Sequence, residues 1–468
     1  MVRNLTITFL IIILPLGVLG QEPDSLRLSQ SIQIGTGILA TNPVSLPFWM
    51  KHNNSGRFTD KQAGAMYSLI HYNGGYQTSQ WLRQEWEVET MASASSRGIY
   101  GSVIQANFSV VTPIVRITAG LDEEVFGLND STLSFGSLSY GNNARPLPKV
   151  SIGTKGWVKS PFLSRVFSFK AYLAHGWFEK DRVQSGAFLH QKYFYGRAQF
   201  FQRRFELIGG FHDNAMWAGK NLNTEIVQPS GFKNFARVFF GMNGGDDALQ
   251  TDQLNALGNH LGSFDLRGSY KFRDFTVSSY WQFLWEDGSG MTISKWRDGL
   301  GGLSIKLKDK AIIDRFVFEI VRTNDQNAYK TDENGDPFIE PDNFFNNGVY
   351  SGGWTNYDRV IGTPLFLIFD VENSKANNIQ NMVNAFNIGL GGHFKSLDYT
   401  LKYTDFKNNG RIKQPLEPSL YVRSLDLAIN YQFQGNSGLG LRAVYQDSNL
   451  ESSSSFGLQF SYRWKFNF

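Results

Sequence analysis

The last thirteen residues, Phe456 to Phe468, alternate without a break. Phe456, Leu458, Phe460, Tyr462, Trp464, Phe466 and Phe468 fall on one face, and Gly457, Gln459, Ser461, Arg463, Lys465 and Asn467 on the other. A period of two is that of a β-strand with one apolar and one polar face. A strand of this kind ending on an aromatic residue predicts the closing strand of an outer-membrane β-barrel, its apolar face to lipid and its polar face to a wet lumen. Phe468 is then the expected handle for the barrel assembly machinery. The localisation expected is the outer membrane of a Gram-negative bacterium, with outer-membrane lipid and lipopolysaccharide as surroundings.

The other end agrees. Met1–Gly20 has a basic Arg3, an apolar run from Leu5 to Val18 and a cut expected after Gly20, the make-up of a secretory signal peptide. Residues 21–468 are then expected to form a single barrel domain. There is no cysteine, so lipid acylation and disulfides are both excluded. A closed barrel manages without staples because its ladder has no open edge.

Composition narrows the class further. Phe (39), Tyr (19), Trp (11) and Gly (47) are abundant and charged residues make up 18%. Mean hydropathy is −0.28, and no apolar run after Gly20 is long enough for a membrane helix. Lipid-facing residues diluted one for one by lumen-facing polar ones give such an average. A soluble propeller would show blade-length repeats, and none is present. A net charge of +4 from scattered basic residues gives no reason to expect nucleic acid as a partner.

Alternating runs recur along the chain at 30–40, 64–72, 80–91, 98–110, 114–121, 149–159, 166–177, 191–201, 204–213, 262–272, 274–285, 299–308, 312–322, 384–394, 397–405, 421–433, 438–447 and 456–468. That predicts an all-β, antiparallel transmembrane barrel of about eighteen strands. The least regular runs, 30–40, 114–121 and 149–159, leave sixteen as the alternative. Short turns are expected on one rim, among them 112–113, 160–165, 202–203, 273–274, 308–310, 395–396 and 434–437. Long loops fall on the other, at 42–63, 122–148, 178–190, 214–261, 286–298, 323–383 and 406–420. The last strand is expected to end in the periplasm, which puts the short turns there and the long loops outside the cell, folding over or into the lumen; an even count returns the N-terminus to the periplasm as well.

Three loop segments are candidates for chemistry. In 323–383, Phe344 to Trp354 is rich in aromatic residues, Asn and Gly, and Arg359 to Leu365 follows. Flat rings with amide donors and acceptors suit the apolar faces and hydroxyl edges of sugars; Tyr350, Trp354 and Arg359 are the candidates there. The competing reading makes Tyr350 and Trp354 the small core of a plugging loop. The second segment brings His212 and Trp217 near His260, where a lumen hydrogen-bonding role competes with a site. The third holds Trp49, which an interfacial aromatic belt would also explain. No G-x-S-x-G or H-E-x-x-H motif is present, so neither an enzyme nor a cofactor is expected. The acidic runs at 244–247 and 332–336 lack EF-hand spacing and read as solvated turns, so no metal is expected.

The run Phe345-Asn346-Asn347-Gly348-Val349-Tyr350, then Gly353-Trp354, then Val360-Ile361-Gly362-Thr363-Pro364-Leu365 resembles the hallmark of the capsule assembly protein Wzi family, in its Bacteroidetes form. Pro47-Phe48-Trp49, Phe211-His212 with Trp217, and Gly258 to Gly262 are similar to further family patterns. The resemblance covers about residue 30 to the C-terminus. It implies a non-enzymatic, lectin-like outer-membrane barrel of eighteen strands that holds capsular polysaccharide at the cell surface, read here as a monomer. Better-known members carry a helical N-terminal plug; only 21–29 precedes the first strand here, too short for one, so loop 323–383 is expected to plug instead. A porin-like diffusion channel for small solutes or oligosaccharides is the alternative, since eighteen strands enclose an aqueous lumen unless it is filled.

Overall fold

The computed structural model describes residues 28–42, 45–286, 290–291, 297–326, 342–370, 377–412, 414–433, 435–450 and 454–468. The expected signal peptide and the acidic run 332–336 lie outside the described residues. The alternating runs form β1 (Leu28–Asn42), β2 (Met66–Ser79), β3 (Leu82–Ser95), β4 (Gly98–Val111), β5 (Val115–Leu121), β6 (Pro148–Thr154), β7 (Phe167–Trp177), β8 (Phe188–Phe200) and β9 (Phe205–Trp217). They continue as β10 (Asn259–Lys271), β11 (Phe275–Trp285), β12 (Gly299–Leu307), β13 (Arg315–Arg322), β14 (Val383–Phe394), β15 (Leu397–Arg411), β16 (Gln414–Gln432), β17 (Ser437–Ser448) and β18 (Ser455–Asn467). Val158–Lys159 carries β6 onward against the same partner strand.

Each strand pairs antiparallel with the next, and β1 pairs with β18 from Ser31↔Asn467 to Asn42↔Phe456, which closes the cylinder. The wall therefore has eighteen strands, the three least regular runs included. Closure leaves no edge with unpaired backbone groups, a requirement for any sheet in hydrocarbon. On β18, Phe456, Leu458, Phe460, Tyr462 and Trp464 are exposed on the outer wall, while Gln459 faces the bore and donates at 2.7 Å to the hydroxyl of Tyr67, whose ring passes over Gly37 of the intervening β1. No helix among the described residues is long and apolar enough to cross a membrane.

The lower rim carries short turns ringed by exposed Phe162, Phe200, Phe201, Phe272, Phe394, Phe433 and Phe468. The upper rim carries the long loops, with three short helices, α1 (Phe48–Lys51), α2 (Phe232–Phe240) and α3 (Gln250–Leu254). One expected loop is absent: 406–420 is not a loop but the upward continuation of β15 and β16, paired as far as Arg411↔Gln414. Its polar residues stand above the lipid, where a strand no longer needs an apolar face, so the alternation fades while the ladder runs on.

The bore is filled from above. Segments 45–65, 122–147 and 342–370 contribute Trp49, Phe135, Leu138, Phe344, Phe345, Tyr350, Trp354 and Phe366 to one buried apolar cluster with inward wall residues such as Leu300, Phe406 and Val422. Loop 323–383 does take part, as expected, but the segment that reaches deepest is 122–147. Leu133 packs directly against Gly389 on the inner wall, where a Cβ on that glycine would come within 2.7 Å. Its apolar residues, Phe126, Leu133, Phe135, Leu138 and Tyr140, are interspersed with polar and small ones, so the segment has no aromatic cluster like that of 344–354.

Candidate functional site

The hallmark segment is a fold determinant. Asn347 Oδ1 accepts from the backbone N–H of Val349 and Tyr350 at 2.9 and 3.0 Å, an Asx turn. Asn346 works as a substitute strand pair, accepting from Ile379 N–H at 2.9 Å and donating to its carbonyl at 2.8 Å. Gly353, at φ +61°, sends the chain back so that Trp354 N–H donates to Phe345 O at 3.0 Å. Gly362 lies so near Leu138 O that a Cβ would come within 2.2 Å of it. This contact lets Thr363 N–H donate to Leu138 O at 2.9 Å and joins two plugging loops. Gly348 has open space around it and Pro364 is buried. Tyr350 and Trp354 are enclosed on all sides, as the competing small-core reading required, and present no open face to a ligand.

Below them the plug is fastened to polar groups on the wall. Glu319 of β13 accepts from Ser134 Oγ (2.6 Å), Phe135 N–H (2.8 Å), Tyr280 Oη (2.7 Å) and Asn387 Nδ2 (3.3 Å). Gln282 of β11 accepts from Leu138 N–H at 2.7 Å. His212 faces inward and meets Ser139 Oγ at 2.6 Å and Ser263 Oγ at 3.3 Å. Trp49 is not at a membrane interface; its indole N–H donates to Thr404 Oγ1 at 2.6 Å inside the bore. Trp217 and His260 face the opposite way, on the outer wall, where His260 pairs with Asp213 at 3.1 Å. The structure thus divides the candidates among three places: the buried plug, the outer wall and the upper mouth.

At the mouth a cleft of about 510 Å³ opens between 51–62, the tops of β3 and β4, and 357–359. The rim is low here because β3 and β4 are joined by a tight turn. Thr355–Asn356 and Arg359–Val360 form a small ribbon whose two central residues, Tyr357 and Asp358, have φ of +48° and +58°. Such a turn normally takes Asn and Gly; a bulky Tyr there costs about 1–3 kcal/mol. In return Tyr357 stands exposed at the lip with the Arg145 guanidinium 5.1 Å from its ring centre. Across the cleft Lys61 lies 5.5 Å from the Tyr100 ring.

Arg359 is held from below, donating to the carbonyls of Lys51 and Phe58, the latter at 2.6 Å. Burial, opposed by Asp60 and reinforced by Arg145, brings its guanidinium down to about 10. His52 beside it donates to Asn143 Oδ1 at 2.8 Å, and burial with the Arg359 charge keeps the imidazole well below 6.5 and neutral. Arg57 forms the floor, bound to Glu89 at 2.6 Å and to Glu123. The same Arg57 roofs a second cavity of about 320 Å³ in the bore beneath, lined also by Tyr67, His71, Arg442, Gln459 and Arg463. Among the described residues no group of His, Asp or Glu is arranged to hold a metal ion. The cleft offers two ring faces, guanidinium and ammonium donors from Arg145, Arg359 and Lys61, and acceptors from Asp60, Asp358 and neighbouring hydroxyls.

The model of the family described as "Capsule assembly protein Wzi" matches residues 41–446. The chain belongs to that family. Among solved structures it is similar to Wzi of Escherichia coli, an outer-membrane protein involved in group 1 capsule assembly and described as a carbohydrate-binding β-barrel. The TM-score is 0.62 at 14% identity, covering 92% of this chain and 83% of that one. It is also similar to Pseudomonas aeruginosa OccK1 (OpdK), with a TM-score of 0.51 at 9% identity over 94% of this chain and 99% of that one. No curated protein matches it in sequence. At these identities the two structures speak for the fold, a closed outer-membrane barrel, and the family match for capsule assembly. The Wzi hallmark thus marks how the plug folds in this chain. Tyr100, Arg145 and Tyr357, which frame the cleft, carry no motif; the only sequence sign of Tyr357 was a turn dipeptide, Tyr-Asp, where Asn-Gly is usual.

Proposed function

We propose that this Wzi-family barrel holds surface polysaccharide, capsule foremost, at its extracellular mouth, without chemical turnover. One observation carries the reading: a plugged bore topped by a cleft in which Tyr357 is displayed from a strained turn against Arg145. Ring faces meet the apolar C–H surface of a sugar, and the guanidinium groups of Arg145 and Arg359 meet its hydroxyl or carboxylate oxygens. Tyr350, Trp354, His212 and Trp49 support the site by fixing the plug rather than by touching the glycan. Retention of the purified protein on immobilised capsular polysaccharide tests this: wild type is retained, and the double variant Tyr357→Asn with Arg145→Ala elutes freely. Equal retention of both would remove the cleft from the account.

A second reading, a channel, has one observation in its favour. Arg57 is the shared wall between the mouth and the cavity below. If the ion pairs of Arg57 with Glu89 and Glu123 are a gate, Arg57→Ala gives stepwise conductance in planar bilayers where wild type is silent. Silence in both leaves the binding reading alone.

A further inference from the structure

On the outer wall the lipid-facing band ends at a defined row near β7 to β10. Phe194, Phe211 and Phe264 lie side by side in register, facing out, with Phe194 exposed. The next outward row above them is Lys192, Asp213 and Gly262, and above that stand His190, Ala215 and His260. Charged groups facing out from a barrel wall require cover. The long connection between β9 and β10 supplies it by folding down outside the cylinder instead of into it.

The cover is α2 and its flanks. Phe235 lies against His175, His190 and Trp217, and Phe239 against His190. Lys192 Nζ, ion-paired with Asp213 at 3.0 Å, also donates to Phe239 O at 2.5 Å. That last bond fixes the C-terminal end of α2 one outward row above Phe194. The helix therefore spends one side on the wall and has another left over. Phe232 and Phe240, with Ala236 between them, recur every four residues on that free side, and the two rings are 85% and 70% exposed. Met242 and Leu254 are exposed beside them. On the adjoining side Lys233 is exposed, while Arg237 turns back to donate to Asn234 Oδ1 at 3.0 Å, with Asp247 at 3.9 Å.

We propose that this flap is a membrane-surface element: Phe232, Phe240, Met242 and Leu254 enter the acyl region of the outer leaflet, and Lys233 faces its phosphates. The argument is continuity. The exposed rings start where the lipid band of the wall stops, on the outside of the barrel, and an aromatic helix with a basic flank at that height is built for an interface. A second copy of the chain is the competing occupant.

The chain has no cysteine, so single spin labels can be placed in the unaltered background as Phe232→Cys, Phe240→Cys and Leu254→Cys, with Asp246→Cys as the aqueous control. Heat-modifiable gel mobility verifies that each variant has closed its barrel. In bilayers of phosphatidylglycerol and phosphatidylcholine, collisions with oxygen should outnumber those with a water-soluble nickel chelate at 232, 240 and 254, and the order should reverse at 246. Nickel dominance at all four positions overturns the proposal. So does dipolar broadening between labels at 240 that vanishes on dilution with unlabelled protein, which assigns the face to a second copy.

Discussion

Two groups of upper loops meet the same wall from opposite sides. The plug enters the bore and completes the hydrogen bonding of polar wall groups; Glu319 receives four donors, two from the plug (Ser134 Oγ and Phe135 N–H) and two from the wall (Tyr280 and Asn387). Apart from Tyr357 at the lip, its aromatic rings such as Phe135, Phe344, Tyr350 and Trp354 are turned inward and enclosed. The flap over β7 to β10 is held by one ion-paired cluster and ring contacts, and leaves aromatic rings facing out. A polar wall residue therefore has two fates, set only by the side on which strand parity places it. Inside, it orders a loop into a closed unit. Outside, it calls for a cover whose second face still needs a partner.

Trp354→Ala should do the greatest damage to the plug, because emptying a fully buried indole costs about 3–5 kcal/mol. Hydrogen exchange should speed up across 342–366 while the strands stay protected; an unchanged exchange rate there would break the view of the plug as one packed unit. Glu319→Ala comes next. It strands Phe135 N–H and the Tyr280 hydroxyl, at about 1–3 kcal/mol for each buried group left unpaired, and should lower the thermal midpoint and admit noisy conductance. Tyr357→Asn separates binding from stability: the strained turn is relieved, so stability holds or rises, while glycan retention weakens by about 1–3 kcal/mol if stacking carries the contact. Loss of both together would make Tyr357 a structural residue only.

Acid should act on the plug through His52. Its folded pKa lies below the unfolded value of 6.5, so the unfolded loop binds the proton first. The contribution of His52 is complete above that value and falls away as pH drops from 6.5 toward the folded pKa. Protection of the loop amides near His52, taken as exchange relative to the intrinsic rate at each pH, should fall between pH 7 and 5, and His52→Gln should flatten that fall. The smallest effect belongs to the flap: Phe240→Ser should change stability in detergent by less than about 0.5 kcal/mol, since the ring makes few contacts there. A large loss would mean that the flap is completed by protein and not by lipid.

The wall was legible because hydrocarbon on one side and water on the other write a period of two into the strands where they cross the lipid, most clearly in β18 and least in β1, β5 and β6. The rim was not, for the same reason. In β8, His190 and Lys192 share the outward face with Phe194, which erases the alternation, so the regular run begins at 191 although the strand begins at Phe188. In β15 and β16 the alternation likewise ends where the strands leave the lipid, although the pairing continues to Arg411↔Gln414. The plug was half visible: clustered aromatic residues at 344–354 announce a core, whereas the deeper 122–147 segment docks through dispersed apolar side chains, serine hydroxyls and backbone groups that no sequence period marks. The hallmark residues could be found by resemblance, yet their work is turn geometry and close approach, as at Gly353 and Gly362. Tyr357 stayed hidden because a strained turn is visible only once its φ angles are known.

The deep docking of 122–147 also orders events in time. Its anchors on β9, β11, β13 and β14 are made later in the chain than the loop itself, and the hoop is sealed only when the last strand meets the first. The aromatic stopper must therefore wait until the cylinder exists before it can seat, so maturation of this protein should finish with a late, slow gain of protection in the bore after the wall is already in the membrane.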